Sequence, residues 1–75
     1  MKEIGKVKEY NNYYGTIVDE KGDKYLLLKE QIMNDTEINN MDIVSFVPEE
    51  YKKNEVDQKI ARFVKKIGSN QDQRF

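Results

Sequence analysis

Tyr14-Gly15-Thr16-Ile17-Val18-Asp19-Glu20-Lys21-Gly22-Asp23-Lys24-Tyr25-Leu26-Leu27-Leu28 is the stretch that decides the fold. Two runs rich in β-branched, aromatic and aliphatic residues flank a polar turn, Asp19 to Asp23, that ends in Gly-Asp. Such runs fit a pleated, half-buried surface, and the Gly-Asp turn between them is hairpin chemistry. Alternation along the first run puts Tyr14, Thr16 and Val18 on one side and Gly15 and Ile17 on the other. Gly15 inside a strand predicts a bulge or a strong bend.

The same reading extends in both directions. Upstream, Ile4 to Tyr10 is a strand candidate, followed by Asn11-Asn12, a turn pair because Asn tolerates left-handed backbone angles. Downstream, Lys29 to Asn40 is polar apart from Ile32, Met33 and Ile38, which predicts a short helical turn and a loop. Asp42 to Val47 reads as a further strand, closed by Pro48, which cannot donate to a ladder. Glu49 to Asn54 reads as a charged loop. Val56, Ile60, Phe63, Val64 and Ile67 then recur at helical spacing, with Asn54 as a candidate N-cap and Gly68 just past the end. On periodicity alone the chain is a four-stranded sheet with a C-terminal helix. Residues 68–75 read as a flexible polar tail.

Composition narrows the function. The chain has 75 residues, enough for one small domain, with 37% hydrophobic and 36% charged residues. There is no Cys and no His. That excludes disulfides, thiolate or imidazole metal ligation, His general acid–base catalysis and Ser-His or Cys-His nucleophile pairs. Glu49, Glu50, Glu55 and Asp57 are scattered and form neither an acid–base pair nor a calcium loop. No enzymatic activity, cofactor or metal is expected. No run approaches the ~20 apolar residues of a membrane span, and Met1 to Gly5 lacks an apolar signal core, so a cytoplasmic protein is expected. The balance of 13 basic and 14 acidic residues, net −1, advertises no polyanion partner but allows local basic patches.

Five segments, in order, resemble a known family. Gly5-Lys6-Val7-Lys8-Glu9-Tyr10-Asn11 resembles the opening of a cold-shock domain, Gly-x-Val-Lys-Trp-Phe-Asn. Tyr14-Gly15-Thr16-Ile17 resembles the end of that family's first RNA-binding motif, Lys-Gly-Phe-Gly-Phe-Ile. Tyr25-Leu26-Leu27-Leu28-Lys29-Glu30-Gln31-Ile32 falls where the second motif sits, Val-Phe-Val-His-x-Ser-Ala-Ile. Ile43-Val44-Ser45-Phe46 is similar to the fourth strand, and Ala61-Arg62-Phe63-Val64-Lys65-Lys66-Ile67 to the closing Ala-x-Asn-Val-x-x-Ile. The resemblance implies an all-β fold: one oligonucleotide-binding (OB) barrel over residues 1–67. Its five strands would lie near 2–10, 14–19, 24–28, 42–48 and 59–67, which turns the last segment from helix into strand. Val7, Ile17, Tyr25, Leu27, Val44, Phe46 and Val64 would fill it, with Ile32 plugging one end.

The family binds single-stranded nucleic acid, and the resemblance carries this expectation to Lys6, Lys8, Tyr10, Tyr13, Tyr14, Thr16, Leu26, Leu28 and Lys29. Stacking on rings is worth roughly 1–3 kcal/mol per base, and cations track the phosphates. Alternation groups Lys6, Lys8, Tyr10 and Tyr14 on one exposed face. The platform is reduced: Glu9, Thr16, Leu26 and Leu28 stand where the family has rings, and Asn12 replaces the turn's Lys. Binding of RNA or DNA is therefore expected to be weak and salt-dependent, by a monomer. Leu26 and Leu28 also support the alternative of a protein-interaction module, because contiguous exposed apolar surface marks protein partners. Lys59, Arg62, Lys65 and Lys66 form a local basic excess, read mainly as a solvated face.

Overall fold

In the computed structural model, which describes residues 2–68, the hairpin forms at the expected boundaries. Strands β2 (Tyr14–Asp19) and β3 (Lys24–Leu28) pair antiparallel, with Ile17 opposite Tyr25 and Gly15 opposite Leu27. The turn between them is organised by Asp19. Its Oδ1 accepts from the backbone N–H of Lys21 and Asp23, each at 2.9 Å, and Gly22 supplies the left-handed step at φ 89°. The pairing runs through Gly15 without a register shift. The expected bulge is absent because Gly15 meets a different demand. A Cβ there would lie 2.7 Å from the Cα of Tyr10, so the glycine permits close approach of the preceding turn.

Strand β1 (Glu3–Lys8) pairs antiparallel with β2 and with β4 (Ile43–Lys53), and β4 pairs antiparallel with β5 (Val56–Gly68). β5 then meets β3 in parallel through Leu26 and Ile60. The result is an all-β, five-stranded mixed sheet that closes on itself in the order β1-β2-β3-β5-β4. Two 3-10 turns, Lys29–Gln31 and Met33–Asp35, connect β3 to the loop before β4. Ile32 between them bridges to Val64 and packs in the core.

The inner side holds every residue expected to fill it: Val7, Ile17, Tyr25, Leu27, Val44, Phe46 and Val64. Ile38 and Ala61 join them. Tyr25 and Phe46 meet with ring centroids 4.9 Å apart at a tilt of 56°, a favoured aromatic geometry. Removing a ring as buried as Phe46 costs roughly 3–5 kcal/mol, a large part of the stability of a small domain.

Three expectations are corrected. The segment with helical spacing is the long strand β5, so the four-stranded alternative with a helix does not form. Its inward residues Ala61 and Val64 stand three apart because Phe63, at φ 53°, is an extra residue in the strand where the β4–β5 register shifts. Pro48 does not close β4, and Glu49–Asn54 is not a loop. β4 runs on to Lys53, paired residue by residue with β5 down to Val56. Pro48 is tolerated there because β1 accompanies β4 only as far as Phe46, leaving Pro48 in a stretch paired on one side. Finally, β1 ends at Lys8 rather than at residue 10, because Glu9 takes φ 55°. Most of the polar tail lies outside the described residues, and Gly68 is the last residue of β5.

Candidate nucleic-acid interface

The outer side of β1, β2 and β3 is built in rows set by strand register. Lys8 stands opposite Thr16, and Thr16 opposite Leu26; in the next row Tyr14 stands opposite Leu28. In the row on the other side, Lys6 stands opposite Val18 and Val18 opposite Lys24. Alternation places all of these on the side facing away from Val7, Ile17 and Leu27. Tyr14 is 57% exposed and Leu26 37% exposed, while Lys8, Thr16 and Leu28 are half-buried.

Tyr13 and Tyr14 sit side by side at the end of this face. The Asn11 side chain fixes them: its Oδ1 accepts from the backbone N–H of both tyrosines at 3.0 Å. The Asn11 N–H donates to the Tyr14 carbonyl at 3.1 Å, and Asn12 supplies the left-handed residue at φ 75°. This is the Asx-turn geometry for which Asn is suited. Tyr13 is 71% exposed. Lys29 follows β3 directly, its N–H donates to the Tyr13 carbonyl at 3.0 Å, and its Nζ lies 6.0 Å from the Tyr13 ring centroid. At that distance a cation still feels the ring face.

Two residues expected on the face are not available to it. Lys6 is only 6% exposed, although it points to the outer side; its neighbour Ile43 on β4 is buried as well. It cannot present its stem and charge freely to a phosphate. Tyr10 is turned off the face by Glu9, whose left-handed backbone interrupts the alternation of β1. It packs against the core and over Gly15, and burial pushes its phenol pKa up from 10.0. Asn40 fixes it there. The Asn40 Oδ1 accepts from the Tyr10 N–H at 2.6 Å, and Asn40 Nδ2 donates to the Tyr10 carbonyl at 3.2 Å. Tyr10 lines a cleft of about 320 Å³ with Asn12, Lys29, Ile32, Thr36 and Ile38, into which Asp35 and Glu37 also reach.

Of the remaining residues, Lys8, Tyr14, Thr16, Leu26 and Leu28 share this face, while Tyr13 and Lys29 lie together beside it, along a groove with Glu30 and Asp35. Lys24 adjoins the face along a groove shared with Thr16, Leu26 and Gln58. Sequence reasoning did not assign Lys24, although its place at the start of β3, in phase with Leu26 and Leu28, was visible in the alternation. It also left Phe63 unassigned. That ring is 61% exposed on β5, where the resemblance expects an Asn.

The basic residues of β5 are largely committed. Arg62 donates to Glu49 at 2.8 and 2.9 Å, Lys66 sits 3.3 Å from the buried Asp42 carboxylate, and Lys59 lies 3.9 Å from Asp23. Among the described residues, no three acidic, His or Cys side chains gather as metal ligands, and no helix is long and apolar enough to cross a membrane. No known family model matches this chain, and no curated protein matches it.

Proposed function

We propose that this chain is a single-stranded nucleic-acid-binding module of the OB type, without enzymatic activity, that lays RNA or DNA across the outer side of β1, β2 and β3. The strand order and the parallel β3–β5 contact that closes the ring support the OB reading. The observation that carries the function is the pair of consecutive, exposed tyrosines, Tyr13 and Tyr14, held at the backbone by Asn11 with Lys29 over the Tyr13 ring. Exposed rings offer faces on which bases stack whatever their sequence, Lys8 and Lys24 supply charges along the same surface, and Lys29 supplies one beside it. With Lys6 and Tyr10 off the face, the platform is smaller than the sequence implies, and affinity is low and carried largely by phosphate contacts.

Replacing Tyr14 with Ala tests this. The side chain is exposed, so the fold persists, and binding of an oligo-U or oligo-dT probe weakens by roughly 1–3 kcal/mol. Leu26→Ser provides the contrast. Leu26 is the exposed apolar centre of the same face, which favours a protein partner as the second reading. On the nucleic-acid reading this variant keeps nearly all of its oligonucleotide affinity. Loss of a protein complex in Leu26→Ser, with no oligonucleotide binding in wild type, replaces the first reading by the second.

A further inference from the structure

Beyond Phe46, β4 parts from β1 and keeps β5 as its partner. Among the described residues, nothing pairs along the side of Val47–Lys53 that faces away from β5. The strand nonetheless continues for the whole of this stretch, held by β5 and closed by a tight turn at Asn54 and Glu55, both left-handed at φ 54° and 65°. An extended strand with one unpaired row of backbone donors and acceptors is a template for another strand.

The side chains on that edge define which strand fits. The exposed run reads Glu49-Glu50-Tyr51-Lys52-Lys53. Laid antiparallel against itself about Tyr51, this run sets Tyr51 against Tyr51, Glu50 against Lys52 and Glu49 against Lys53. Every charge faces its opposite, and each opposed pair lies on the same face of the sheet. Shifting the centre to Glu50 or Lys52 brings Glu against Glu or Lys against Lys. Only the register about Tyr51 pairs all four charges with opposites. A segment that is its own charge complement generates a two-fold, isologous contact. Tyr51, 39% exposed, supplies the apolar centre at the axis. Pro48, which has no N–H to give, falls at the rim of the paired stretch.

We infer that β4 is a self-association edge. Two copies of this chain join antiparallel through residues 49–53, making a four-stranded sheet in the order β5-β4-β4-β5 across the two-fold axis. The contact is short, and its charges are in part already engaged. Glu49 is paired with Arg62, and Glu50 and Lys52 stand opposite Lys59 and Asp57 of β5. The dimer is therefore weak and concentration-dependent, and it replaces the monomer expected from sequence only at high concentration. This inference rests on the strand edge and not on the nucleic-acid reading.

The experiment is sedimentation velocity of the full chain over a concentration series up to millimolar, at low and moderate salt, with two charge-swap variants. One is the double variant Lys52→Glu/Lys53→Glu; the other is Glu49→Lys/Glu50→Lys. Wild type shifts toward dimer as concentration rises, and the dimer constant weakens at least about tenfold with added salt. Each variant alone stays monomeric, and mixing the two restores a dimer. In a mixed isotope-labelled sample of wild type, intermolecular contacts appear between Tyr51 of one copy and Tyr51 of the other, a readout independent of how the variants fold. A wild type that stays monomeric at millimolar concentration, a dimer that survives either swap alone, or intermolecular contacts that avoid Tyr51 would overturn the proposal.

Discussion

Gly15 lacks a Cβ because the chain of Tyr10 occupies that space, with the Tyr10 Cα 2.7 Å and Cβ 2.9 Å from where the methyl would sit. Both obstacles are close to the backbone and cannot swing away. Gly15→Ala therefore destabilises the fold by roughly 1–3 kcal/mol through overpacking, measured as a shift in the urea midpoint at unchanged slope. A stability equal to wild type would mean that the turn before β2 adjusts freely. Tyr25 gives a second prediction at this scale. Its phenol pKa is raised, first by burial, then by the carboxylates of Asp19, Glu3 and Asp23, with the hydrogen bond to Asp19 adding to them. An unfolded tyrosine ionises near its ordinary value of 10.0, while the folded one still holds its proton. The folded state thus binds the proton more tightly. The corresponding stability is whole below about pH 10 and is lost as pH rises through the raised folded value. Tm should fall more steeply above pH 10 in wild type than in Tyr25→Phe. Parallel curves for the two would show that Tyr25 does not carry the alkaline sensitivity.

The turns and the long hairpin show what a strand-sized element can and cannot reveal in its letters. Asp19 was legible as turn chemistry. Its carboxylate accepts two backbone N–H bonds at 2.9 Å and, more loosely, the Tyr25 hydroxyl at 3.5 Å, while the residue is almost fully buried. Asp19→Ala leaves those donors without their partner and should cost roughly 1–3 kcal/mol, read from the denaturation midpoint. An Asp19→Ala protein as stable as wild type would show that the turn holds itself without the carboxylate. β5 was not legible from periodicity, because three of the five apolar residues at helical spacing, Val56, Phe63 and Ile67, are exposed, so the spacing did not mark one buried face, and the extra residue at Phe63 breaks the strand's own alternation. The outer half of β4 was hidden for another reason. Its run of charges reads as loop, yet Glu50 faces Lys59 and Lys52 faces Asp57 across the hairpin, so the charges complement one another as strand partners. Composition signals polarity, and only pairing reveals that the polarity is cross-strand.

For the molecule as a whole, the ordered series of short segments carried more information than any one of them. The resemblance they make together, rather than the alternation of any one strand, assigned Val7, Ile17, Leu27, Val44 and Val64 to one core, and the structure buries all five. The candidate surface was less legible. Tyr14, Thr16, Leu26 and Leu28 follow from alternation within two well-paired strands, and the register brings them together. Lys6 and Tyr10 did not follow. The burial of Lys6 is a tertiary property absent from its own strand, and the direction of Tyr10 depends on a left-handed residue at Glu9, where nothing in the side chain announces it. The central claim is that the outer side of β1–β3 binds single-stranded nucleic acid. Its most direct test is a backbone amide shift titration of the isotope-labelled chain with oligo-U and with oligo-dT at low and at moderate salt. The account predicts perturbations gathered on Lys8, Tyr13, Tyr14, Thr16, Leu26, Leu28 and Lys29, fading as salt rises. A spectrum unchanged by either oligonucleotide at low salt, or perturbations gathered elsewhere on the molecule, would contradict it.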